Sequence, residues 1–418
     1  MKKIKVLHIN KSDSGGGAEK LTLDFVKYAP VESYMLADES KSGLPNVDVL
    51  TKIRLQDYFT FFDKVLWKVG IRKFSFKKWI PKAKIKYGWQ DMLNFTWYNL
   101  KRSSFFAQAD VIHCHNLHGG YFDITALEKI AKKKPVIWSL HDMWAITGGE
   151  PYLFSEEYYN KSKRVPPFNN QRYPFKGVEK DRRDLYLKQR KNVFKRAQSQ
   201  LYLVVASPWL KNKIDKAFVF DSAPKVRQIR EGIDTSLYKN LELRNWNVPR
   251  ILIVNTGNFY KGTEIFIDFF PELQGEYELW VIGKAFDLNL GSQNKVKQLE
   301  YVKEESELVV LLNQVDILIF PSVIDNSPLM VISAMACGVC VIGSRTGGIQ
   351  FQLSEETGYL FETESRSDLK KQLTAALQNL EATRRKGQKA RKRVEEMFNS
   401  EKMYQEYLEL YKEALTNE

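Results

Sequence analysis

Short apolar segments alternate with helical patterns along the chain, and the alternation restarts midway. In the first half, strand-like segments occupy residues 5–9, 34–36, 111–113, 135–138 and 201–205. In the second half they occupy residues 251–254, 277–282, 317–320 and 339–342. Such β/α alternation predicts parallel sheets covered by helices on both faces. The pattern therefore predicts an α/β protein with two doubly wound, Rossmann-like domains in tandem.

The length of the chain and one polar stretch set the predicted domain boundaries. At 418 residues the chain exceeds the size at which one hydrophobic core usually stops growing, so two domains are expected. Residues 230–249 are polar and weakly periodic, and we place the linker there. We predict an N-terminal domain over residues 1–240, a C-terminal domain over residues 241–399, and a final segment over residues 400–418.

The final segment is predicted to be a helix that packs on the first domain. After Glu364 the chain is charged and helical in pattern, which suits one or two long helices. The last helix should run from about residue 400 to 415, with Ser400 as its N-cap. Its apolar stripe has to pack on another surface and consists of Met403, Tyr404, Tyr407, Leu408, Leu410 and Tyr411.

Composition limits the compartment and the partners. The three cysteines Cys114, Cys337 and Cys340 lie in apolar strand or helix contexts, so we expect a reducing cytosol and no structural zinc. We find no signal peptide and no run of roughly 18 apolar residues, which predicts a soluble or peripheral protein. The net charge of +14 points to nucleic acid, anionic lipid or phosphate-bearing substrates. Without a recognised nucleic-acid-binding module, the sequence favours an anionic membrane over nucleic acid.

Residues 59–106 break the alternation by mixing basic and aromatic side chains. Lys64, Lys68 and other cations interleave with Phe61, Trp67, Trp79 and further aromatic residues. This mixture suits an interfacial segment on an anionic membrane. It equally suits an insertion whose aromatic rings fill a local core while its lysines stay solvated. The sequence leaves both interpretations open.

Two segments of the first half are candidates for ligand contact. Gly16 and Gly17 belong to a glycine-rich turn, residues 12–19, that follows the first strand and opens a helix. Backbone N–H groups there can face a phosphate or sugar, although such a turn is about as often only a tight turn. His141 follows another strand and is expected at the carboxyl edge of the sheet, where open α/β proteins bind ligands.

A histidine cluster over residues 113–118 suggests a metal site at first sight. His113, His115 and His118 have HxHxxH spacing. His113 still belongs to a strand, however, and no carboxylate completes a ligand set convincingly. We therefore expect these side chains to line a polar cleft, with no metal bound.

Two segments of the second half carry the stronger signals. Lys261 lies in residues 256–262, between a strand and an apparent helix, where its ammonium and a helix N-terminus can act on one diphosphate. Residues 320–338 contain a strand end, a polar loop with Asp325, and a small-residue helix that starts at Pro328 and ends at Gly338. Free backbone amides over residues 327–330 would bind phosphate.

Taken together, these motifs resemble the retaining glycosyltransferases of the large bacterial group 1 class, family 4, which have the GT-B fold. In that fold two Rossmann-like domains face a cleft and the C-terminal helix crosses back to the first domain. The resemblance covers nearly the whole chain and rests on residues 15–19, 113–120, 139–149, 231–234, 261–262, 325–338 and 346–349. The segments 113–120 and 139–149 are similar to enzymes that build capsule, exopolysaccharide or O-antigen units.

The resemblance implies a role for each matching residue. It places Gly16 and Gly17 near the donor phosphate and the acceptor, His141 on the donor sugar, and Lys261 on the diphosphate. Asp325 takes the first carboxylate position of the family's Glu-x7-Glu motif and touches the transferred sugar. The following loop contacts phosphates and sugar through Asn326, Ser327, Pro328 and Leu329. The same resemblance implies front-face substitution with retention, no cofactor and no metal.

The chain departs from the family pattern at two donor-binding positions and in one further segment. Ser333 stands where a glutamate normally holds the nucleotide ribose, and a hydroxyl forms a weaker hydrogen bond than a carboxylate. Asn258 is nearest to the place of an arginine that usually precedes the lysine. Family members often carry cysteines soon after the His141 segment, whereas this chain has Glu150 and a basic run over residues 161–196.

The sequence therefore predicts a hexosyltransferase of surface polysaccharide biosynthesis. Its expected partners are a nucleotide-sugar donor, a saccharide or lipid-diphosphate-linked acceptor, and an anionic membrane surface, but no nucleic acid. The expected location is the cytoplasm, peripherally on the inner face of a bacterial plasma membrane. The alternative is a degenerate GT-B scaffold that assists another glycosyltransferase and has little activity of its own.

Overall fold

The structure, a computed structural model, describes most of the chain. The described residues are 3–54, 57, 60–69, 75–153, 178–263, 267–286, 290, 294–302 and 304–416. They form two compact units. The first comprises residues 1–205, 211–228 and 404–418, and the second comprises residues 206–210 and 229–403. The second unit resumes at Ile229, N-terminal to the boundary predicted at residue 240.

The first unit is built on a seven-stranded sheet in the order β3-β2-β1-β4-β5-β6-β7, and every pairing in it is parallel. Its strands are β1 (Lys5–Ser12), β2 (Glu32–Glu39), β3 (Val47–Val49), β4 (Val111–Cys114), β5 (Val136–Leu140), β6 (Leu201–Val205) and β7 (Lys225–Gln228). Its helices are α1 (Gly17–Tyr28), α2 (Thr60–Lys68), α3 (Phe76–Lys86), α4 (Thr96–Leu100), α5 (Ser104–Gln108), α6 (Ala126–Ala131) and α7 (Arg183–Ala197). Helix α8 (Pro208–Lys216) begins in the second unit and ends in the first.

The second unit repeats this architecture with a six-stranded parallel sheet in the order β10-β9-β8-β11-β12-β13. Its strands are β8 (Arg250–Asn255), β9 (Glu278–Gly283), β10 (Lys295–Leu299), β11 (Ile317–Phe320), β12 (Cys340–Ser344) and β13 (Gly358–Phe361). Its helices are α9 (Glu305–Leu312), α10 (Leu329–Ala336), α11 (Ile349–Gln352), α12 (Arg366–Gln378) and α13 (Leu380–Met397). The last helix, α14 (Ser400–Thr416), begins in this unit and continues into the first.

The strands predicted from apolar runs all coincide with observed strands, and they occupy the interior of both sheets. Strands β4, β5, β6 and β11 are buried at every residue, because a parallel sheet is covered on both faces. The strands that the sequence did not reveal are the edge strands β3, β7, β10 and β13. Edge strands are partly exposed and tolerate charge, so most carry no long apolar run: β10, for example, reads Lys-Val-Lys-Gln-Leu, although β13 reads Gly-Tyr-Leu-Phe.

The C-terminal helices differ from the prediction in number and in capping. The expectation of one or two long helices after Glu364 was wrong, because Asn379 ends α12 and its side chain accepts a hydrogen bond from the Ala382 amide to start α13. Ser400 is the first residue of α14 and not its cap. Asn399 accepts the hydrogen bond from the Glu401 amide at 2.8 Å instead.

The apolar stripe of α14 is buried as predicted. Tyr407 and Tyr411 lie inside the first unit, 4% and 1% exposed, and their hydroxyls reach the interior of its sheet. Tyr411 is hydrogen-bonded to His113 of β4 at 2.7 Å, and Tyr407 to Ser139 of β5 at 2.7 Å. The C-terminal part of α14 is therefore part of the core of the first unit.

Candidate functional site

The strand order of the second unit brings together the two loops that carry Lys261 and Asp325. The chain runs from β8 outward to β9 and β10, then returns to β11 on the other side of β8. The loops that follow β8 and β11 leave the carboxyl edge of the sheet at this reversal, which is the position where open α/β proteins usually bind ligands. Lys261 follows β8 and Asp325 follows β11. Their side chains meet in an ion pair, with 2.6 Å between Lys261 Nζ and Asp325 Oδ2.

The turn that carries Lys261 is fixed by short-range contacts. Asn258 accepts a hydrogen bond from the Tyr260 amide at 3.0 Å and so caps the short 3-10 helix Phe259–Lys261. Gly262 has φ +65°, and a Cβ there would overlap the carbonyl oxygen of Pro321. Only glycine allows this close approach, which places Lys261 beside the chain that leaves β11. The helix predicted after Gly262 falls partly on residues 264–266, outside the described residues.

Two glycines pack closely against the backbone of the loop that carries Asp325. The Gly348 amide donates a hydrogen bond to the Asp325 carbonyl at 2.9 Å. A Cβ on Gly347 would overlap the carbonyl oxygen of Asp325, and one on Gly348 would overlap that of Asn326. The Asn326 side chain in turn accepts a hydrogen bond from the Ser207 hydroxyl at 2.6 Å. The backbone of residues 325–326 is therefore held in one place by its neighbours.

Helix α10 begins directly after this loop, as predicted. Pro328 occupies its N-cap position and provides no side-chain cap. The Gln352 side-chain amide lies 3.4 Å from the Pro328 carbonyl and 3.5 Å from the Ser327 hydroxyl. The first turn, starting at Leu329, leaves backbone N–H groups that no side-chain cap of its own satisfies, and the helix ends before Gly338, which has φ +74°.

Ser333 lies on α10 and is 4% exposed. Its hydroxyl is hydrogen-bonded to the hydroxyl of Tyr238, and that hydroxyl donates to the Glu305 carboxylate at 2.8 Å. Burial, together with the Glu305 charge, raises the pKa of Tyr238 far above its ordinary value, so the phenol stays protonated and keeps donating. The Glu305 carboxylate is therefore linked to Ser333 through two hydrogen bonds that share the Tyr238 hydroxyl. The sequence analysis missed Glu305, because 28 positions separate it from Ser333 along the chain.

The corresponding reversal in the first unit lies between β1 and β4. Gly16 is the N-cap of α1 and Gly17 is its first residue, and no side chain caps this helix. Gly15 has φ +127°, and a Cβ added to it would meet no atom within 4 Å, so a ligand can approach the backbone there. Glu19 accepts a hydrogen bond from the Asn116 side chain at 3.2 Å, which ties this turn to the loop after β4.

His141 ends a chain of three histidines in the first unit. It follows β5 directly, at the carboxyl edge of the sheet as predicted. Its ring stacks on His115 with 5.6 Å between centroids, and the facing nitrogens are 3.4 Å apart. His115 is in turn 3.1 Å from His8 Nδ1. Burial lowers the pKa of His8 to about 3 and that of His115 well below its ordinary value. Both rings are therefore neutral and donate or accept through fixed nitrogens.

The three buried histidines His8, His113 and His115 lie close enough to share an ion, with ligand nitrogens within 4.8 Å of one another. Both nitrogens of His113 are nevertheless engaged by other residues. His113 bonds Tyr411 through one nitrogen and Ser139 through the other, both at 2.7 Å. The expectation that the cluster lines a polar cleft was wrong for His113 and His115, which are 0% and 1% exposed. They pack among the aromatic rings of the core instead.

His118 differs from its neighbours because it pairs with a carboxylate. Its Nε2 lies 3.0 Å from Asp142 Oδ2, in the segment that follows His141. Burial lowers the pKa of His118, but the charge and hydrogen bond of Asp142, together with the charges of Asp91 and Glu19, leave that pKa above its ordinary value. Asp142 also accepts a hydrogen bond from the Trp144 amide at 2.8 Å, which fixes the turn after His141.

The predicted site residues thus form two groups. Lys261 and Asp325 are in direct contact in the second unit. The same two loops, or the start of α10, carry Asn258, Asn326, Ser327, Pro328 and Leu329, and Ser333 lies further along α10. Gly16, Gly17 and His141 belong to the first unit. Both groups lie at the carboxyl edge of a parallel sheet.

Comparison with known protein families identifies the family to which this chain belongs. Residues 61–237 match glycosyltransferase family 4, and residues 238–393 match the glycosyl transferases of group 1. The chain belongs to the group 1, family 4 glycosyltransferases. Within this family it is 25% identical, over 266 residues, to the putative colanic acid biosynthesis glycosyl transferase WcaC of Escherichia coli. That match covers 59% of this chain and spans 63% of the length of the relative.

Solved structures show the same GT-B fold for this family 4 chain. Sucrose-phosphate synthase from Thermosynechococcus elongatus matches with a TM-score of 0.68 and 16% identity, over 100% of both chains. The Anabaena protein HepE in complex with UDP-glucose matches with a TM-score of 0.64 and 16% identity, over 98% of this chain and 100% of that one. At such identities the likeness establishes the fold.

Proposed function

We propose that this family 4 protein transfers a sugar from a nucleotide-diphosphate donor to a saccharide acceptor in polysaccharide biosynthesis. The observation that carries the proposal is the contact of Lys261 with Asp325 at the point of strand reversal in the second unit. A cation, a carboxylate and the N-terminal amides of α10 converge there, and these groups suit a diphosphate attached to a sugar. The similar protein HepE has been solved in complex with UDP-glucose. A UDP-sugar is therefore the first donor to test.

The proposed chemistry is substitution at the anomeric carbon with retention and without a metal. The bond from C1 to the diphosphate oxygen breaks, and a bond from C1 to the acceptor hydroxyl forms on the same face. The hydroxyl proton passes to the departing phosphate oxygen. Lys261 and the amides at the start of α10 stabilise the charge that grows on the diphosphate, and Asp325 holds the sugar. His141 is the proposed contact of the first unit to the donor sugar.

Glu305 compensates for the serine at position 333 in this proposal. A donor ribose at Ser333 lies beside the Tyr238 hydroxyl and within reach of the Glu305 carboxylate. A charged acceptor makes a stronger hydrogen bond to a ribose hydroxyl than Ser333 alone does. The carboxylate that the family places on α10 is thus provided here by α9.

The proposed acceptor is linked to a lipid diphosphate, and α2 is the surface that meets the membrane. No residue of α2 is buried, and Phe61 and Trp67 are 67% and 62% exposed. Lys64 and Lys68 lie among these rings, so the helix offers apolar and cationic groups together, as interfacial helices do. Asp63 accepts hydrogen bonds from the Phe76 and Lys77 amides and anchors α2 to α3. None of the described helices combines the length and apolar composition that crossing a bilayer needs.

A donor screen tests the enzymatic proposal. Purified protein is incubated with UDP-, GDP-, dTDP- and ADP-sugars, and release of the nucleoside diphosphate is measured with and without saccharide acceptors. We expect slow release from one donor class, accelerated by an acceptor and lost in Asp325→Ala. Activity that Asp325→Ala leaves unchanged, or no release from any donor, would instead favour the scaffold alternative that the missing family carboxylate at position 333 suggests.

Liposome flotation tests the membrane surface separately. We expect binding to vesicles with anionic lipid that falls in Phe61→Ser and Trp67→Ser, because each removes an exposed apolar ring. Tyr28→Ser is the matched control, since Tyr28 is an equally exposed ring, at 67%, outside α2. Equal binding to neutral vesicles, or equal losses in the control, would contradict an electrostatic interface on α2.

A further inference from the structure

The first unit contains a cavity that no predicted site residue lines. Its volume is about 160 Å³, and Arg54, Lys84, Asn94, Asp38, Gly120 and Tyr121 are among its lining residues. A water takes roughly 30 Å³, so the cavity holds about five waters, the scale of a phosphate group or one sugar ring. It lies at the carboxyl edge of the sheet, where β2 ends and the loop after β4 passes.

Two of the three charged side chains that line this cavity, Arg54 and Lys84, are cations. The buried carboxylate of Asp38 pairs with two cations, Lys11 and Arg54, the latter at 2.8 Å through Nη2. Arg54 is still 46% exposed and has further N–H groups to donate. Lys11 lies over the Tyr121 ring, with 5.5 Å from Nζ to the centroid. Lys11 also lies 3.8 Å from Glu39 and does not line the cavity, so the lining itself has Arg54 and Lys84 against the single carboxylate of Asp38.

Lys84 is the third cation, and its direct partner is neutral. Its Nζ donates to the side-chain oxygen of Asn94 at 2.8 Å. Burial lowers the pKa of Lys84 to about 8, the Arg54 charge acts in the same direction, and Asp91 and Asp123 oppose it. A half-buried ammonium without a carboxylate in contact is costly, and an anion in the cavity would offset that cost.

Three neutral polar side chains, Thr51, Gln90 and Asn94, also line the cavity, and Asn94 offers a buried donor. The side-chain nitrogen of Asn94 is buried and has no hydrogen-bond partner among the residues that the structure describes. Phe95 and Tyr121 add aromatic walls. Donors from Arg54, Lys84 and Asn94 facing one space select an anionic oxygen ligand, and apolar ring faces suit the body of a sugar.

We propose that this cavity binds an anionic group, a phosphate or a carboxylate, carried by the saccharide acceptor, with Arg54 and Lys84 as its cations. The assignment of this ligand to the acceptor rests on the proposed glycosyl transfer. The cavity is lined by Gly120, in the loop that follows β4, and that loop is tied through Asn116 to the glycine turn at residues 15–17. An acceptor held by its anion would therefore lie along the same sheet edge as that turn.

Calorimetric titration of the intact chain, with UDP present in excess, tests the cavity. The probes are glucose 1-phosphate, glucuronate and glucose. We expect at least one anionic probe to bind and glucose not to bind at the same concentration. Arg54→Gln and Lys84→Gln should each weaken binding by about tenfold, the value of one charge-assisted hydrogen bond. Lys82→Gln is the matched control, because Lys82 lies on the same helix, is exposed and does not line the cavity.

The outcomes distinguish a phosphate from a carboxylate as the bound anion. They also distinguish failure of the cavity proposal from failure of the proposed glycosyl transfer. Binding of glucose 1-phosphate alone indicates a phosphate-linked acceptor, and binding of glucuronate alone indicates an acidic sugar. If neither binds, if glucose binds equally, or if Lys82→Gln loses as much as Lys84→Gln, the cavity proposal is overturned. Titration with UDP alone reports on the donor site. If UDP does not bind, that result counts against the proposed function and not against the cavity. Arg54→Gln, at a half-exposed position, keeps the test valid if Lys84→Gln does not fold.

Discussion

Lys261 and Asp325 form an ion pair of 2.6 Å across the point where the strand order of the second sheet reverses. The lysine side chain is 35% exposed and the aspartate side chain 10%, so the carboxylate is the more sheltered partner. In the proposed function, a donor phosphate would compete with Asp325 for Lys261 and free the carboxylate for a sugar hydroxyl. The proposal therefore predicts that occupation of the diphosphate position controls the availability of Asp325.

Gly348 supports this pair through the backbone, and its substitution should lower both stability and nucleotide binding. In Gly348→Ala the new methyl group meets the Asn326 carbonyl, so the loop of residues 325–326 has to shift. We expect a loss of about 1–3 kcal/mol of unfolding free energy and a loss of nucleotide affinity. Gly387→Ala is the control, because its methyl group meets the Gly338 carbonyl instead. Equal nucleotide affinity in the two variants would contradict a role for Gly348 at the site.

Glu305 is predicted to strengthen nucleotide binding. Glu305→Gln keeps the shape of the side chain and removes its charge, so we expect about a fivefold to tenfold weaker affinity for a nucleoside diphosphate. Glu307→Gln serves as the control, because Glu307 is exposed on the same helix. Calorimetry measures both. If the two variants bind alike, α9 does not provide the carboxylate that Ser333 lacks.

Lys84 should make the protein less stable near neutral pH than its uncharged variant. Its pKa is about 8 in the folded chain against 10.5 ordinarily, so between these values the unfolded chain binds more protons and stability rises with pH. Below about pH 8 the full cost of the buried ammonium remains. Lys84→Met should therefore gain up to about 2–3 kcal/mol at pH 7, and the gain should shrink as the pH approaches 10.5. Denaturant unfolding at pH 7 and pH 10 measures it, and a gain that does not depend on pH would refute the assignment.

His8 should make the first unit sensitive to acid. Its pKa is about 3 when folded and 6.5 ordinarily, so the unfolded chain binds more protons in this window and stability falls as the pH drops below 6.5. The contribution lost at pH 5 is about 2 kcal/mol for His8 alone. Unfolding of the wild type and of His8→Asn at pH 7.5 and pH 5 measures the difference. An identical pH dependence in both proteins would show that His8 does not titrate on unfolding.

The sequence predicted the parts of the molecule that repeat in every parallel sheet. Interior strands carry apolar runs, and the loops at the reversal points carry Lys261 and Asp325, which lie 64 positions apart but meet in space. Edge strands such as β10 were not predicted, because a half-exposed strand can carry charged residues in place of an apolar run. The break at Asn379 depends on one side chain that caps the next helix.

The features of the site that the sequence did not predict depend on contacts between segments that are far apart along the chain. Glu305 reaches Ser333 only through Tyr238, which comes from a third segment of the chain. The cavity around Lys84 is likewise assembled from segments after β2, β3 and β4 and from α3. The cleft expected between the two domains, and the contact of His141 with the donor sugar, stay predictions.

Calorimetric titration with UDP-, GDP-, dTDP- and ADP-sugars tests the central claim most directly. The proposed donor site requires saturable binding of one donor class by the wild type. It also requires a loss of about tenfold or more in Lys261→Gln, which removes a charged contact to the diphosphate. Lys371→Gln, at a lysine of α12 in the same unit, should bind as the wild type does. Absence of binding to all four donors, or an unchanged affinity in Lys261→Gln, would contradict a diphosphate site at Lys261 and Asp325.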